Sequence, residues 1–114
     1  MNVSVSRQEE VTVIAAEGSV DALTADDFMA AMQEQIAAGH TRLVADLSGV
    51  TYASSAGLRA ILVALKESRQ RGGDLRLAAV QKGVYRVLEL SGFNSILKMY
   101  DDLDDAIASY SEEA

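Results

Sequence analysis

The stretch Leu43–Leu65, LVADLSGVTYASSAGLRAILVAL, decides the fold because its hydrophobic period changes halfway along. Val44 and Leu47 suit a buried strand, which Asp46, Ser48 and Gly49 begin to break. Beyond Val50, Thr51 and Tyr52, the residues Leu58, Ile61, Leu62 and Leu65 recur at i, i+3, i+4 and i+7, one face of a helix. Ser54 and Ser55 stand where that helix starts. A serine there caps an unsatisfied backbone N–H, and a helix N-terminus also accepts added negative charge. The position suits a phosphate-carrying side chain, but pattern alone reads Ser55 as a plain cap.

Working outward, Val3 and Val5 alternate with serines, and Val11, Val13 and Ala15 follow a polar turn at Arg7 to Glu10. This predicts a hairpin of two short strands, broken at Gly18. Thr24, with Asp27 three residues on, resembles a capping box. Phe28, Met29, Met32 and Ile36 form the apolar stripe of the first helix, and Gly39 terminates it. The third strand is expected over Arg42 to Asp46 and the second helix over Ser55 to Arg71, closed by Gly72 and Gly73. Leu75 and Leu77 alternate with Asp74 and Arg76 in a fourth strand. Val84, Val87 and Leu88 suit a short helix stopped by Gly92, and Ile96 to Met99 an edge strand. Asp101 or Asp102 caps a final helix carrying Leu103, Ile107 and Tyr110, and 111–114 is expected to fray. Strands alternating with helices predict one α/β domain over residues 1–114, with a mixed sheet.

Composition narrows the function classes. At 114 residues, with 49% apolar and 24% charged, the chain can bury about two thirds of its unfolded surface in one core. The absence of cysteine excludes disulfides, thiolate metal sites and cysteine nucleophiles. No segment has the apolar run of a signal peptide or a membrane helix, which predicts a cytoplasmic protein. Seventeen acidic residues against ten basic give a net charge of −7. That charge disfavours nucleic acid and anionic lipid and leaves a protein or small ligand as the expected partner. A monomer is expected.

Several constellations resemble chemistry without completing it. Ser54 and Ser55 lie at a strand-to-helix junction, but Tyr52-Ala53-Ser54-Ser55-Ala56-Gly57 lacks the first glycine of G-x-S-x-G. The one histidine, His40, follows the helix-terminating Gly39 and is expected to face solvent, so no base is offered to a serine nucleophile. Asp101, Asp102, Asp104 and Asp105 lack calcium-loop spacing and read as first-turn carboxylates. No metal site and no cofactor are expected, and Gly18 and Gly72-Gly73 sit in no phosphate-loop context. Lys66, Arg69 and Arg71 complement a helix C-terminus. Asp21 and Asp46 each follow strand-like residues, at ends where functional groups collect in parallel sheets; each also suits a turn carboxylate bonded to nearby N–H groups.

Four segments together carry a family resemblance. Glu17-Gly18-Ser19-Val20-Asp21 looks like E-G-x-x-D, and Leu43 to Leu58 looks like D-L-S-x-V-x-x-x-[DS]-S-x-G-L. Gly72-Gly73-Asp74-Leu75-Arg76-Leu77 and Leu88-Glu89-Leu90-Ser91-Gly92-Phe93 look like G-G-x-L-x-L and L-x-x-S-G-[FL]. In this order and spacing the chain resembles the STAS-domain family, specifically the single-domain anti-sigma-factor antagonists of bacterial partner switching. The resemblance implies a small mixed sheet with about four helices packed mainly on one side. It also implies a non-enzymatic regulator that binds a kinase-type anti-sigma factor when unphosphorylated. Phosphorylation of one serine by that kinase releases it, and a PP2C-type phosphatase resets it. The family serine precedes x-Gly-Leu, which selects Ser55 ahead of Ser54, the latter standing where aspartate is common. The same distance to Gly57-Leu58 makes Ser55 the expected helix cap. Asp21, Asp46, Ser54, Ser55, Gly57 and Leu58 are implied partner contacts. The same family also contains STAS subunits of membrane lipid-transport ATPase complexes, an alternative that the intact serine signature argues against.

Overall fold

A computed structural model describes residues 2–111. Strands β1 (Asn2–Gln8) and β2 (Val11–Val20) form an antiparallel hairpin around Glu9 and Glu10, both at positive φ. Two left-handed residues match the twist of the strands they join. From β2 onward the strands are parallel: β3 (Arg42–Ala53), β4 (Asp74–Ala78) and β5 (Lys98–Tyr100), in sheet order β1-β2-β3-β4-β5. Each parallel step is bridged by a helix, as parallel pairing requires. These are α1 (Ala25–Ala37), α2 (Ser55–Gln70) and α3 (Lys82–Leu90); a last helix, α4 (Leu103–Ser111), follows β5. Residues 112–114 lie outside the described residues.

The sheet is covered unequally. Phe28, Met32 and Ile36 of α1, Leu58, Ile61, Ala64 and Leu65 of α2, and Val84 and Leu88 of α3 pack against Ile14, Leu43, Ala45, Leu47, Leu75 and Leu77. On the opposite face α4 alone places Ala106, Ile107 and Tyr110 over Val11, Val13 and Val44. The central strand β3 is therefore apolar on both faces, with Leu43, Val44 and Ala45 all fully buried. The expected mixed sheet with helices mainly on one side is the fold observed.

Both long strands overrun their expected ends. β2 passes through Gly18 to Val20, and β3 continues seven residues beyond Asp46 to Ala53. The two stay paired because the register shifts between Ala15 and Glu17 and again between Gly18 and Ser19. Glycine inside a strand here marks a bulge, not a stop. Gly18 takes φ +102, and a Cβ on Gly49 would lie 2.8 Å from the Glu17 Cγ.

Three side-chain expectations are also revised. Thr24 precedes α1 but makes no cap bond: its hydroxyl donates to the Ser19 carbonyl at 2.7 Å instead. Leu62 lies at the rim of the α2 stripe, exposed, while Ala64 and Ser68 take the buried positions. The Arg76 side chain, expected to alternate outward, is 1% exposed. It donates to Asp74 Oδ2 at 3.1 Å and Ser109 Oγ at 2.7 Å, and lies 3.9 Å from the Tyr110 ring centre, so β4 and α4 meet through a polar cluster.

Candidate functional site

The C-terminal ends of β2 and β3 lie side by side, with Val20 opposite Ala53, and each turns there into a helix. Two contacts fix this corner. The Ser54 N–H donates to the Val20 carbonyl at 2.9 Å. Gly57 lies buried against the same residue, where an added Cβ would stand 2.7 Å from the Val20 oxygen. Glycine at this position is what lets the first turn of α2 approach β2.

The two serines then divide their roles by one residue of register. Ser54 is the N-cap, in extended conformation, and its carbonyl accepts the Leu58 N–H at 3.0 Å. Its hydroxyl makes no cap bond and is buried without a partner. Ser55 is the first residue of α2 and is exposed. The expectation that Ser55 is the cap is thus corrected: the cap position belongs to Ser54, and Ser55 projects from the helix's first turn.

Across from them Asp21 opens the β2–α1 turn. Its Oδ1 accepts the Leu23 N–H at 2.9 Å and its own N–H donates to Thr24 Oγ1 at 2.9 Å. This turn-type bonding leaves Leu23 standing 90% exposed. Tyr52, paired with Ser19 in the sheet, is 54% exposed at the same end. Neither Leu23 nor Tyr52 was distinguished in the sequence; an apolar residue between two turn formers, outside any stripe, is the only signal Leu23 offers.

Other expected contacts are placed elsewhere. Asp46 pairs with Ala15 and Ala78 and accepts the Ser48 N–H at 3.0 Å. The seven residues from Asp46 to Ala53 carry it roughly 20 Å along the strand from the serines. The two carboxylates therefore do not share a site. Gly57 and Leu58 are buried, Leu58 within the main core, so they support the corner from beneath and present no surface to a partner.

Between α1 and α2 a groove of about 370 Å³ opens beside Ser55. Ala22, Ala25, Ala56 and Ala60 line it, Met29 and Val63 add apolar surface, and Asp26 and Arg59 stand at it with opposite charge. His40 is half-buried and hydrogen-bonded to Gln35, correcting its expected exposure. It follows the far end of α1, roughly 20 Å from the Thr24 end, so it offers Ser55 no base. Asp102 Oδ1 accepts the Asp105 N–H at 2.8 Å, which makes the acidic run the cap of α4. Among the described residues no His, Cys, Asp and Glu group could hold a metal, and no helix is long and apolar enough to cross a membrane.

A mixed sheet whose parallel strands β2 and β3 end beside an exposed helix-start serine and an acidic turn has the form of a STAS domain. The chain belongs to the STAS-domain family, which matches it over residues 2–106. It is similar to BtrV of Bordetella bronchiseptica, named provisionally as an anti-sigma factor antagonist, with 32% identity over 96% of this chain and 95% of BtrV. The crystal structure of an anti-sigma factor antagonist from Mycobacterium paratuberculosis superposes with a TM-score of 0.87 at 26% identity, covering 95% of this chain and 92% of that one. SpoIIAA of Bacillus shares the fold in both states solved. Its unphosphorylated form gives a TM-score of 0.76 at 16% identity over 99% of this chain and 100% of that one. Its phosphorylated form gives 0.74 at 18% over 96% and 99%.

Proposed function

We propose that this chain is an anti-sigma-factor antagonist controlled by phosphorylation, and that Ser55 is the phosphorylated residue. The observation carrying this reading is the division between the serines: Ser55 is exposed on the first turn of α2, while the Ser54 hydroxyl is buried. A kinase can reach the first and not the second. The anti-sigma-factor antagonist names of its relatives supply the function class.

The physical basis of the switch is local. Unphosphorylated, the corner offers Leu23, Tyr52, the Ser55 hydroxyl and Asp21 to a kinase-type anti-sigma factor, whose sigma factor is released in exchange. The kinase then transfers the γ-phosphoryl group of ATP to Ser55 Oγ, leaving ADP and a proton. The phosphate brings about −1.5 to −2 charges and three acceptor oxygens to a surface already bearing Asp21, Asp26 and Asp27. The helix N-terminus stabilises that charge, so the fold persists. The partner, in contrast, must desolvate a dianion at the centre of its contact, and the complex dissociates. A PP2C-type phosphatase hydrolyses the ester and restores the binding form. Such a cycle runs in the cytoplasm.

Incubation with the partner kinase and ATP, followed by intact-mass and fragment mass spectrometry, tests the reading. One phosphate on Ser55 is expected, absent from Ser55→Ala, which retains kinase binding and folds as the parent does. Phosphate on Ser54 overturns the assignment of the residue. No phosphate from a kinase active on another substrate overturns the switch and favours a non-phosphorylated STAS subunit of a transport ATPase.

A further inference from the structure

Arg59 stands one helical turn beyond Ser55 on α2, and both are exposed. Residues four apart on a helix have their Cβ atoms roughly 5–6 Å apart. Helical side chains also lean back toward the N-terminus, so an arginine at i+4 reaches over the residue at i. Arg59 is the one cation among the described residues lining the α1–α2 groove, where Asp26 is the one anion. The two make no ion pair, and Arg59 makes no hydrogen bond with any described residue. Toward the far end of α2, Arg69 is committed to Asp74 and the Ile96 carbonyl, and Arg71, the C-cap, to the Ile36 carbonyl.

Resting on the reading of Ser55 as the modified residue, we propose that Arg59 is the internal receiver of its phosphate. Planar guanidinium N–H donors match phosphate oxygens in paired, charge-assisted bonds. A dianion one turn away outcompetes the single charge of Asp26 for them. Arg59 then leaves the groove wall for the helix end, so phosphorylation alters the groove together with the serine. The phosphate is then paired on its own chain, at the exposed first turn of α2.

The test installs phosphoserine at position 55 during translation, so it does not depend on any kinase. Titration followed by phosphorus NMR reads the second ionisation of the phosphate, ordinarily near 6. A neighbouring cation favours the dianion. Arg59→Gln is therefore expected to raise that pKa by about 0.15–0.4 unit. Arg59→Lys, which keeps the charge, is expected to restore most of the difference. Lys66→Gln, which removes an equal charge from the other half of α2, is expected to leave the titration unchanged. Identical curves for the parent and Arg59→Gln overturn the proposal. Equal shifts from Arg59→Gln and Lys66→Gln also overturn it, since they report net charge alone. Failure of the kinase reaction with a positive titration would remove the switch and leave Arg59's role standing.

Discussion

Ser54 and Ser55 are chemically identical, and a single step of backbone separates a buried hydroxyl from an exposed one. Removing a serine from an N-cap ordinarily costs about 1 kcal/mol because a helix N–H loses its acceptor. The Ser54 hydroxyl makes no such bond and sits without a partner, so Ser54→Ala is expected to change stability by less than about 0.5 kcal/mol. Urea unfolding checks this, and a loss of 1 kcal/mol or more would mean that the hydroxyl caps α2 in solution. Gly57 carries the opposite expectation. Alanine is the better helix former, yet its methyl would stand 2.7 Å from the Val20 oxygen and 2.9 Å from Val20 Cγ1. Overpacking against backbone is expected to prevail, with Gly57→Ala destabilising by about 1–2 kcal/mol in the same assay.

At the scale of elements, the joint between β4 and α4 depends on one carboxylate. Asp74 Oδ1 accepts from Arg69 Nε and the Leu75 N–H, both at 2.9 Å, and Oδ2 accepts from Arg76 Nε. The Arg69 side chain is 43% exposed, so its share is small; Arg76 is buried, so its share is large. Asp74→Ala is expected to lower stability by about 3 kcal/mol, read as a lower urea midpoint. A loss below about 1 kcal/mol would show that Ser109 and Tyr110 suffice to hold Arg76. Tyr110 adds a second tie, its hydroxyl lying 2.7 Å from the Leu43 carbonyl and 2.8 Å from that of Asp74. The candidate site lies at the other end of the sheet, so this joint can vary without touching Ser55.

For the whole molecule, the proposed switch requires that stability be separate from binding. Ser55 is exposed and outside the core, and its helix end accepts negative charge. Phosphorylated protein is therefore expected to match the unphosphorylated form in far-UV circular dichroism and, within about 0.5 kcal/mol, in unfolding free energy. Its affinity for the kinase-type partner is expected to fall by at least tenfold, measured by calorimetry. Phosphorylation that unfolds α2, or leaves affinity unchanged, would contradict a local switch. The −7 net charge makes the same binding salt-sensitive wherever the partner surface is basic.

The change of period within Leu43–Leu65, the glycines closing the helices and the paired serines were enough to place every strand and helix near its position. They also marked the end of the sheet where the candidate site lies. Local patterning does this because a strand or helix must bury its own apolar face whatever covers it. What depended on distant segments was illegible. Gly18 and Gly49 reads as strand breaks until β2 and β3 pair through a bulge, and that pairing moves Asp46 far from Ser55. Leu58 matched the signature beside the serine, yet core packing took it out of reach of a partner. Arg76 is polar in any window of sequence, and only Ser109, 33 residues later, gives it a buried place. Leu23, Tyr52 and Arg59 have no pattern of their own. Their exposure around Ser55 is decided by where the neighbouring chain leaves room, a property of the folded surface and not of any one segment.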